Sequence, residues 1–261
     1  MSNNSCCCGM TEKSIEEEGC CGDLKVANQS KIKNPKKEIS DSLLKKLEEK
    51  SRNLGITNIG YAKIPEDIFD NNDMLMYSNA IVLTYPIAMD IINEIPGETA
   101  KKLNDTLYEK FGNITNELSD YLREEKFATQ VVHPFGGLTD LSKLGQVAGL
   151  GYIGKNGLLI SPELGPRLKV SAILTTIENL HYCEKNPHKW IEKYCKRCGK
   201  CVKGCPEDAL IVKNDKIAKA DIMDEKCIGC SQGCTYCIES CPFFKNGYNW
   251  LKNFTKKMEI R

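Results

Sequence analysis

The chain has no apolar run of the roughly 18 residues needed to cross a bilayer. Its opening, MSNNSCCCGMTEKSIEEEGCCG, lacks the basic start and apolar stretch of a secretory signal. A cytoplasmic protein with no membrane association is expected. An excess of charge is also missing: 36 Lys and Arg against 35 Asp and Glu leave a net charge of +1. No global field therefore recruits nucleic acid, and a tRNA-sized polyanion is a doubtful partner. Histidine is scarce, with three in the chain, and residues 22–182 contain no cysteine at all.

That last gap is informative because the 261 residues hold 15 cysteines. Five fall in the first 21 residues, one is Cys183, and nine crowd between Cys195 and Cys241. Reducing compartments keep thiols from pairing, so a cysteine-dense intracellular segment points to metal or redox chemistry rather than a disulfide scaffold. The division that follows is a disordered Cys-rich tail (1–39), an α/β body (40–180), a ferredoxin-like module (181–250) and a basic tail (251–261). Residues 1–39 are polar and aperiodic, a composition that buries too little apolar surface to offset its ordering entropy.

Within the body, Leu43, Leu44, Leu47 and Leu54 share one helical face, with Ser40 or Asp41 as N-cap and Gly55 as stop. The β-branched segments ITNIGYAKI and NAIVLTYPI read as strands, as do ATQVV (128–132) and LKVSAILTT (168–176). Residues 98–125 carry apolar side chains at three- and four-residue spacing and predict a long helix, weakened at Gly112. Alternating helix and strand predicts an α/β body.

The most specific motif is Cys195-x2-Cys198-x2-Cys201-x3-Cys205-Pro206. This is the bacterial ferredoxin run, in which three thiolates hold one 4Fe-4S cube and the fourth reaches another. Two CxxC pairs sharing Cys198 and ending in CP make a zinc site a poor alternative. A second group, Cys227-x2-Cys230-x3-Cys234-x2-Cys237-x3-Cys241-Pro242, offers five thiols where four suffice. Crossed ligation gives one cube Cys195, Cys198, Cys201 and Cys241, and the other Cys205, Cys234, Cys237 and either Cys227 or Cys230.

Gly149-Leu150-Gly151-Tyr152-Ile153-Gly154 satisfies GxGxxG by letter. The dinucleotide reading needs a preceding strand and a following helix; here LSKLGQVAGL reads as helix and GLLISPELGP as short strand and turn. What remains is a glycine-rich stretch with Lys155 and Asn156, expected to expose backbone N–H groups to a flat or anionic ligand.

GQVAGLGYIGKNGLLISPELGPRLKVSAILTT followed by CxxCxxCxxxCP resembles the shared core of epoxyqueuosine reductases and corrinoid reductive dehalogenases, over roughly residues 40–245. The resemblance implies cobalamin held base-off between body and cluster module, with Gly149, Gly151, Gly154, Lys155 and Asn156 in the corrinoid-contacting loop. It also implies Cys227 as the isolated ligand of the second cube, leaving Cys230 as the extra thiol. An acidic proton donor, typical of the epoxyqueuosine enzymes, falls at Lys102 by ungapped counting, with Asp105 its counterpart across a short gap. Dehalogenases are similar in using a tyrosine with a nearby basic residue, for which Tyr108, Tyr152 and Lys102 are candidates by type. The tRNA-contacting helical repeats of the epoxyqueuosine enzymes have no counterpart in the 20 residues after Cys241.

Other polar positions are weaker. His133 in VVHPFGG ends a strand and is a candidate proton donor, although a structural histidine is the simpler account. No D-x-H-x-x-G pattern supplies a histidine ligand for cobalt. Lys196, Lys200 and Lys203 beside the first run are candidates for docking an acidic donor, or simply a solvated face. The reading is an anaerobic iron–sulfur reductase, fed by a low-potential donor such as ferredoxin or flavodoxin and passing electrons to cobalamin and a small substrate. The alternatives are a redox partner of a protein-bound corrinoid or metal site, and a plain electron carrier.

Overall fold

A computed structural model of the chain describes residues 32–65, 68, 76–134, 139–213, 219–229 and 232–259. The cysteines of the first 21 residues, and Cys230, lie outside the described residues.

Helix α1 (Asp41–Asn53) begins where the Ser40 hydroxyl accepts a hydrogen bond from the Leu43 N–H, and Leu44 and Leu47 are buried on one face. Gly55, at φ +89°, lets the chain turn into the next element. Strands β1 (Asn58–Lys63) and β2 (Asn79–Pro86) follow, then the short α2 (Met89–Asn93) and the 27-residue α3 (Glu98–Glu124). Next come β3 (Thr129–Val132), α4 (Leu141–Val147), the hairpin β4 (Tyr152–Ile153) and β5 (Leu159–Ile160), and β6 (Leu168–Thr175). The main sheet has the order β1-β2-β6-β3, and every neighbouring pair is antiparallel. β2 and β3 run parallel to each other with β6 inserted between them, and α3 makes the crossover.

Both faces of the sheet are covered, which explains why β2 and β6 read as nearly continuous apolar runs. Ile81, Leu83 and Ile173 face α1 and α3, where they meet Leu47, Phe111 and Leu118. Ala80, Val82, Ala172 and Leu174 face the other way, toward Leu144 and Ala148. The alternation of helix and strand expected of an α/β body is therefore present, but built on an antiparallel sheet.

The cysteine-dense part comprises α5 (Trp190–Cys198), α6 (Lys200–Lys203), the pair β7 (Leu210–Ile211) and β8 (Asp221–Ile222), α7 (Tyr236–Glu239), α8 (Pro242–Lys245) and α9 (Tyr248–Glu259). It is stitched to the body: the Ala220 N–H donates to the Lys155 carbonyl (2.8 Å), Gly97 N–H to the Gln232 carbonyl (3.0 Å), and the Thr235 hydroxyl to the Ile92 carbonyl (3.2 Å).

Two boundaries differ from expectation. Residues 32–39 do not belong to a disordered tail. Lys36 and Lys37 bond to Lys126 and Glu178 through the backbone, the Ile39 N–H is held by Asn179, and the Ile39 side chain enters the core at 4% exposure. The expected basic tail from 251 is the continuation of α9, anchored by Leu251 against Phe243 and Tyr248.

Candidate iron–sulfur centre

The ferredoxin-like run folds as two short helices broken at Gly199, whose φ of +62° ends α5 and starts α6. Cys195 and Cys198 sit in the last turns of α5, and Cys201 in α6. Cys241 arrives from the other end of the module as the N-cap of α8, with Pro242 in its first turn. Gly204 permits the close approach, since a Cβ there would stand 2.0 Å from the Ser240 hydroxyl.

Cys195, Cys198, Cys201 and Cys241 line one small cavity, which Lys155, Asn156 and Phe243 also line. Among the described residues no group of three or more His, Cys, Asp or Glu side chains is arranged to hold a metal ion; the four cysteines share one cavity wall and are of the residue type that ligates an iron–sulfur cluster. Burial pushes the Cys195 and Cys241 thiols up to about 12 and raises that of Cys201. Backbone N–H groups oppose this, Lys155 donating to the Cys195 sulfur and Phe243 and Phe244 to Cys241. Desolvated thiols held by amide donors suit thiolates whose charge is shared with iron. An aromatic wall of Trp190, Tyr194, Phe243 and Tyr248 closes the outer side, with the Trp190 indole donating to the Tyr248 hydroxyl (2.9 Å).

The second group gathers beside the first. Cys205 accepts from the Ala209 N–H (3.4 Å) and, with Cys201 and Cys237, packs around Leu210 and Ala220. Burial, and then Cys234, drive the Cys237 thiol far above its ordinary value; Cys201 and Cys227 lie close enough to add to this. Cys227 is exposed. Cys234 and Cys227 thus both act electrostatically on Cys237.

The glycine-rich segment does not present itself as expected. Its N–H groups are taken internally: Gly149 by Gln146, Leu150 by Gly145, Ile153 by the Gln146 side chain, and Gly154 by Leu158. Its glycines give room to the protein's own atoms, since a Cβ would meet Cys183 Sγ at 2.5 Å from Gly149, the Ile160 carbonyl oxygen at 2.2 Å from Gly151, and Ile160 Cδ1 at 2.6 Å from Gly154. Lys155 and Asn156 are 5% and 4% exposed and turn to the cysteines. Of the loop residues singled out for a corrinoid, Gly149 and Gly154 thus have their N–H groups engaged within the protein, while Lys155 and Asn156 face the first cysteine set.

The catalytic candidates separate as well. Lys102 and Asp105 lie on the exposed side of α3, Lys102 pairing with Glu98 at 3.6 Å. Partial desolvation holds the Asp105 carboxyl above its ordinary value. Tyr108 points inward at 6% exposure, and its basic neighbour is Lys169 of β6, not Lys102. The Lys169 ammonium donates to the Tyr108 hydroxyl at 2.7 Å and lies 4.1 Å from the ring centre. The one charged residue in a largely apolar strand was the available signal for it. Tyr152 instead donates to Glu192 (3.2 Å), beside the first cysteine run. His133 packs over Gly112, and burial lowers its pKa.

Residues 189–242 match the 4Fe-4S dicluster domain family. That likeness covers 54 of the 261 residues. The chain is 26% identical over 163 residues to a tetrachloroethene reductive dehalogenase of Dehalobacter restrictus, covering 62% of this chain and 28% of that protein. It is 31% identical over 121 residues to an epoxyqueuosine reductase of Gloeobacter violaceus, covering 40% and 36%. A solved reductive dehalogenase, described in terms of B12-dependent dehalogenation, superposes with a TM-score of 0.64 at 15% identity, over 84% of this chain and 33% of the other. The dicluster domain thus continues a body with the reductive dehalogenase fold, and the chain spans about a third of the length of these relatives.

Proposed function

We propose that the protein is an iron–sulfur reductase that holds two 4Fe-4S clusters and delivers electrons, with a proton, to a small substrate at the α3 side of the sheet. The observation that carries this is the convergence of Cys195, Cys198, Cys201 and Cys241 on one cavity within a dicluster domain fused to a reductase fold. Cys205, Cys227, Cys234 and Cys237 form the second ligand set. When bound, the clusters supply one-electron transfer at low potential.

The chain's own residues supply the proton and its placement. Gly233, in the loop that carries Cys234, packs on Ala100 of α3. Tyr108 lies two turns further along that helix, about 12 Å by helical rise. Lys169 fixes the Tyr108 hydroxyl and stabilises the negative charge left when its proton departs. This pairing answers to the tyrosine-with-base arrangement that the family resemblance implies. The low-potential donor is a small acidic redox protein of the ferredoxin or flavodoxin kind.

A second reading is favoured by the internal engagement of residues 149–157: electrons leave the clusters for a corrinoid or metal centre held by another protein. The experiment is anaerobic reconstitution followed by reductive turnover of small halogenated substrates with reduced viologen, alone and with cobalamin added. Turnover by the chain supports the reductase, and Tyr108→Phe is expected to lower kcat about 100-fold while leaving the cluster spectra intact. Clusters that fill but reduce only a separate corrinoid protein favour the second reading. A protein that takes up zinc and little iron contradicts both.

A further inference from the structure

Helix α9 covers the first cysteine set with one side and turns another to the surface. On the inner side, Tyr248 and Leu251, 5% and 1% exposed, pack in the group that contains Cys195, Cys241 and Phe243. The outer side is different. Trp250 and Phe254, one helical turn apart, are 54% and 45% exposed, and their rings stack with centres 5.3 Å apart and planes 6° from parallel. Lys257 falls on the same side by helical spacing, with exposed Asn253 and Lys256 next to it. Two large rings already held against each other lose little freedom when a partner covers them, and aromatic anchors with a polar rim are favoured at interface centres.

The charge around that side narrows the partner. Residues 189–203 and 242–259, the segments that carry and cover the first set, hold ten Lys and Arg against two Glu, so the rest of the chain is net negative. One of those acids, Glu192, is engaged by Lys196 and Tyr152. Helix α5 adjoins α9 through the hydrogen bond from Trp190 to Tyr248, and Lys189, Lys193 and Arg197 are exposed along it at four-residue spacing. Two copies of this chain meeting at such a surface would set like charges against each other. A helix that lies on a bilayer needs a broad apolar face, and on α9 that face is already buried in the protein. An acidic protein satisfies both the rings and the cations.

Resting on the reductase reading above, we infer that the outer side of α9, with Trp250 and Phe254 at its centre and the lysines around them, is where a small acidic electron-donor protein docks. The donor's reduced centre gives up one electron and is oxidised. That electron enters the cluster of the first cysteine set, one helix thickness of about 10 Å inward, and no covalent bond forms or breaks. The docking face accounts for two large aromatic side chains left uncovered on the helix that packs over Cys195 and Cys241.

The test is stopped-flow reduction of the anaerobically reconstituted full chain by reduced flavodoxin and, separately, by reduced viologen, a small dye that needs no docking face. Lys256→Glu with Lys257→Glu is expected to slow reduction by flavodoxin about tenfold at low ionic strength, with the viologen rate and the iron content unchanged. Trp250→Ser with Phe254→Ser is expected to slow it about tenfold at high ionic strength as well. Lys45→Glu with Lys46→Glu, the same charge change at exposed positions of α1, is expected to have little effect. Sedimentation of the wild type, alone and with vesicles of phosphatidylglycerol and phosphatidylcholine in equal parts, reads the other occupants. A dimer that the Trp250 and Phe254 changes dissolve, or vesicle binding that they abolish, overturns the inference. So do equal flavodoxin rates in the wild type and all three variants, or a wild type that flavodoxin does not reduce. Any of these outcomes with substrate turnover under viologen leaves the reductase reading intact. Docking and cluster reduction as described, without turnover of any substrate, fails that reading and keeps the docking face.

Discussion

Gly112 has no room for a methyl group: a Cβ there would stand 1.9 Å from the His133 Nε2. Gly112→Ala is expected to destabilise the protein by about 1–3 kcal/mol, the usual cost of overpacking, measured as a fall in the urea midpoint. The glycine that weakens a helix on propensity grounds is thus required by packing. His133 itself makes stability depend on pH. Burial lowers its folded pKa below the ordinary 6.5, so on acidification the unfolded chain takes up the proton first. Its contribution is complete above about pH 6.5 and is lost as pH falls through the lowered folded value. The urea midpoint should decline between about pH 7 and pH 5.5, and His133→Gln should flatten that decline; an equal slope in both proteins contradicts the assignment. Lys169→Gln removes the donor to Tyr108 and should reduce turnover in the same direction as Tyr108→Phe, with cluster spectra unchanged.

Among the elements, α9 bears most directly on the first cysteine set. Leu251, 1% exposed, packs in the group that contains Cys195, Cys241 and Phe243. Leu251→Ala is expected to cost about 2–5 kcal/mol and to hasten bleaching of the first cluster by oxygen, followed as loss of visible absorbance in air. This helix was not legible in advance. Its run of lysines reads as a tail, and Trp250 and Phe254, 54% and 45% exposed, stack on each other at its surface instead of marking a buried face. By contrast α1, α3 and the four main strands were legible, because each buries a periodic set of apolar side chains. The antiparallel order of the sheet was not, since β2 and β6 are covered on both faces and carry no alternation to betray their direction. Residues 32–39 were missed for a related reason: backbone hydrogen bonds and one side chain, Ile39, hold them, and neither leaves a pattern.

At the scale of the whole molecule, the candidate site is assembled from segments distant in sequence. The cysteine spacing singled out Cys195, Cys198, Cys201 and Cys241, which the fold brings to one cavity. The hydrogen-bonded pair Tyr108–Lys169 was only half readable: Tyr108 was singled out by type, but its partner stands 61 residues away on β6. The glycine-rich turn was recognised as special, but its close approaches to Cys183 and Ile160 were not legible, since sequence alone does not tell which of the protein's own atoms a glycine admits. With a net charge of +1, long-range steering contributes little, and partner choice rests on local contacts around the clusters. Cys227→Ala should degrade the second cluster and spare the first, because Cys227 shares an environment with Cys234 and Cys237. The most direct test of the account is the iron and acid-labile sulfide content of the anaerobically reconstituted chain, read together with its EPR spectrum on reduction. Two clusters predict about eight iron and eight sulfide per chain and a spectrum of two interacting 4Fe-4S centres; about four of each, or zinc in place of iron, would contradict it.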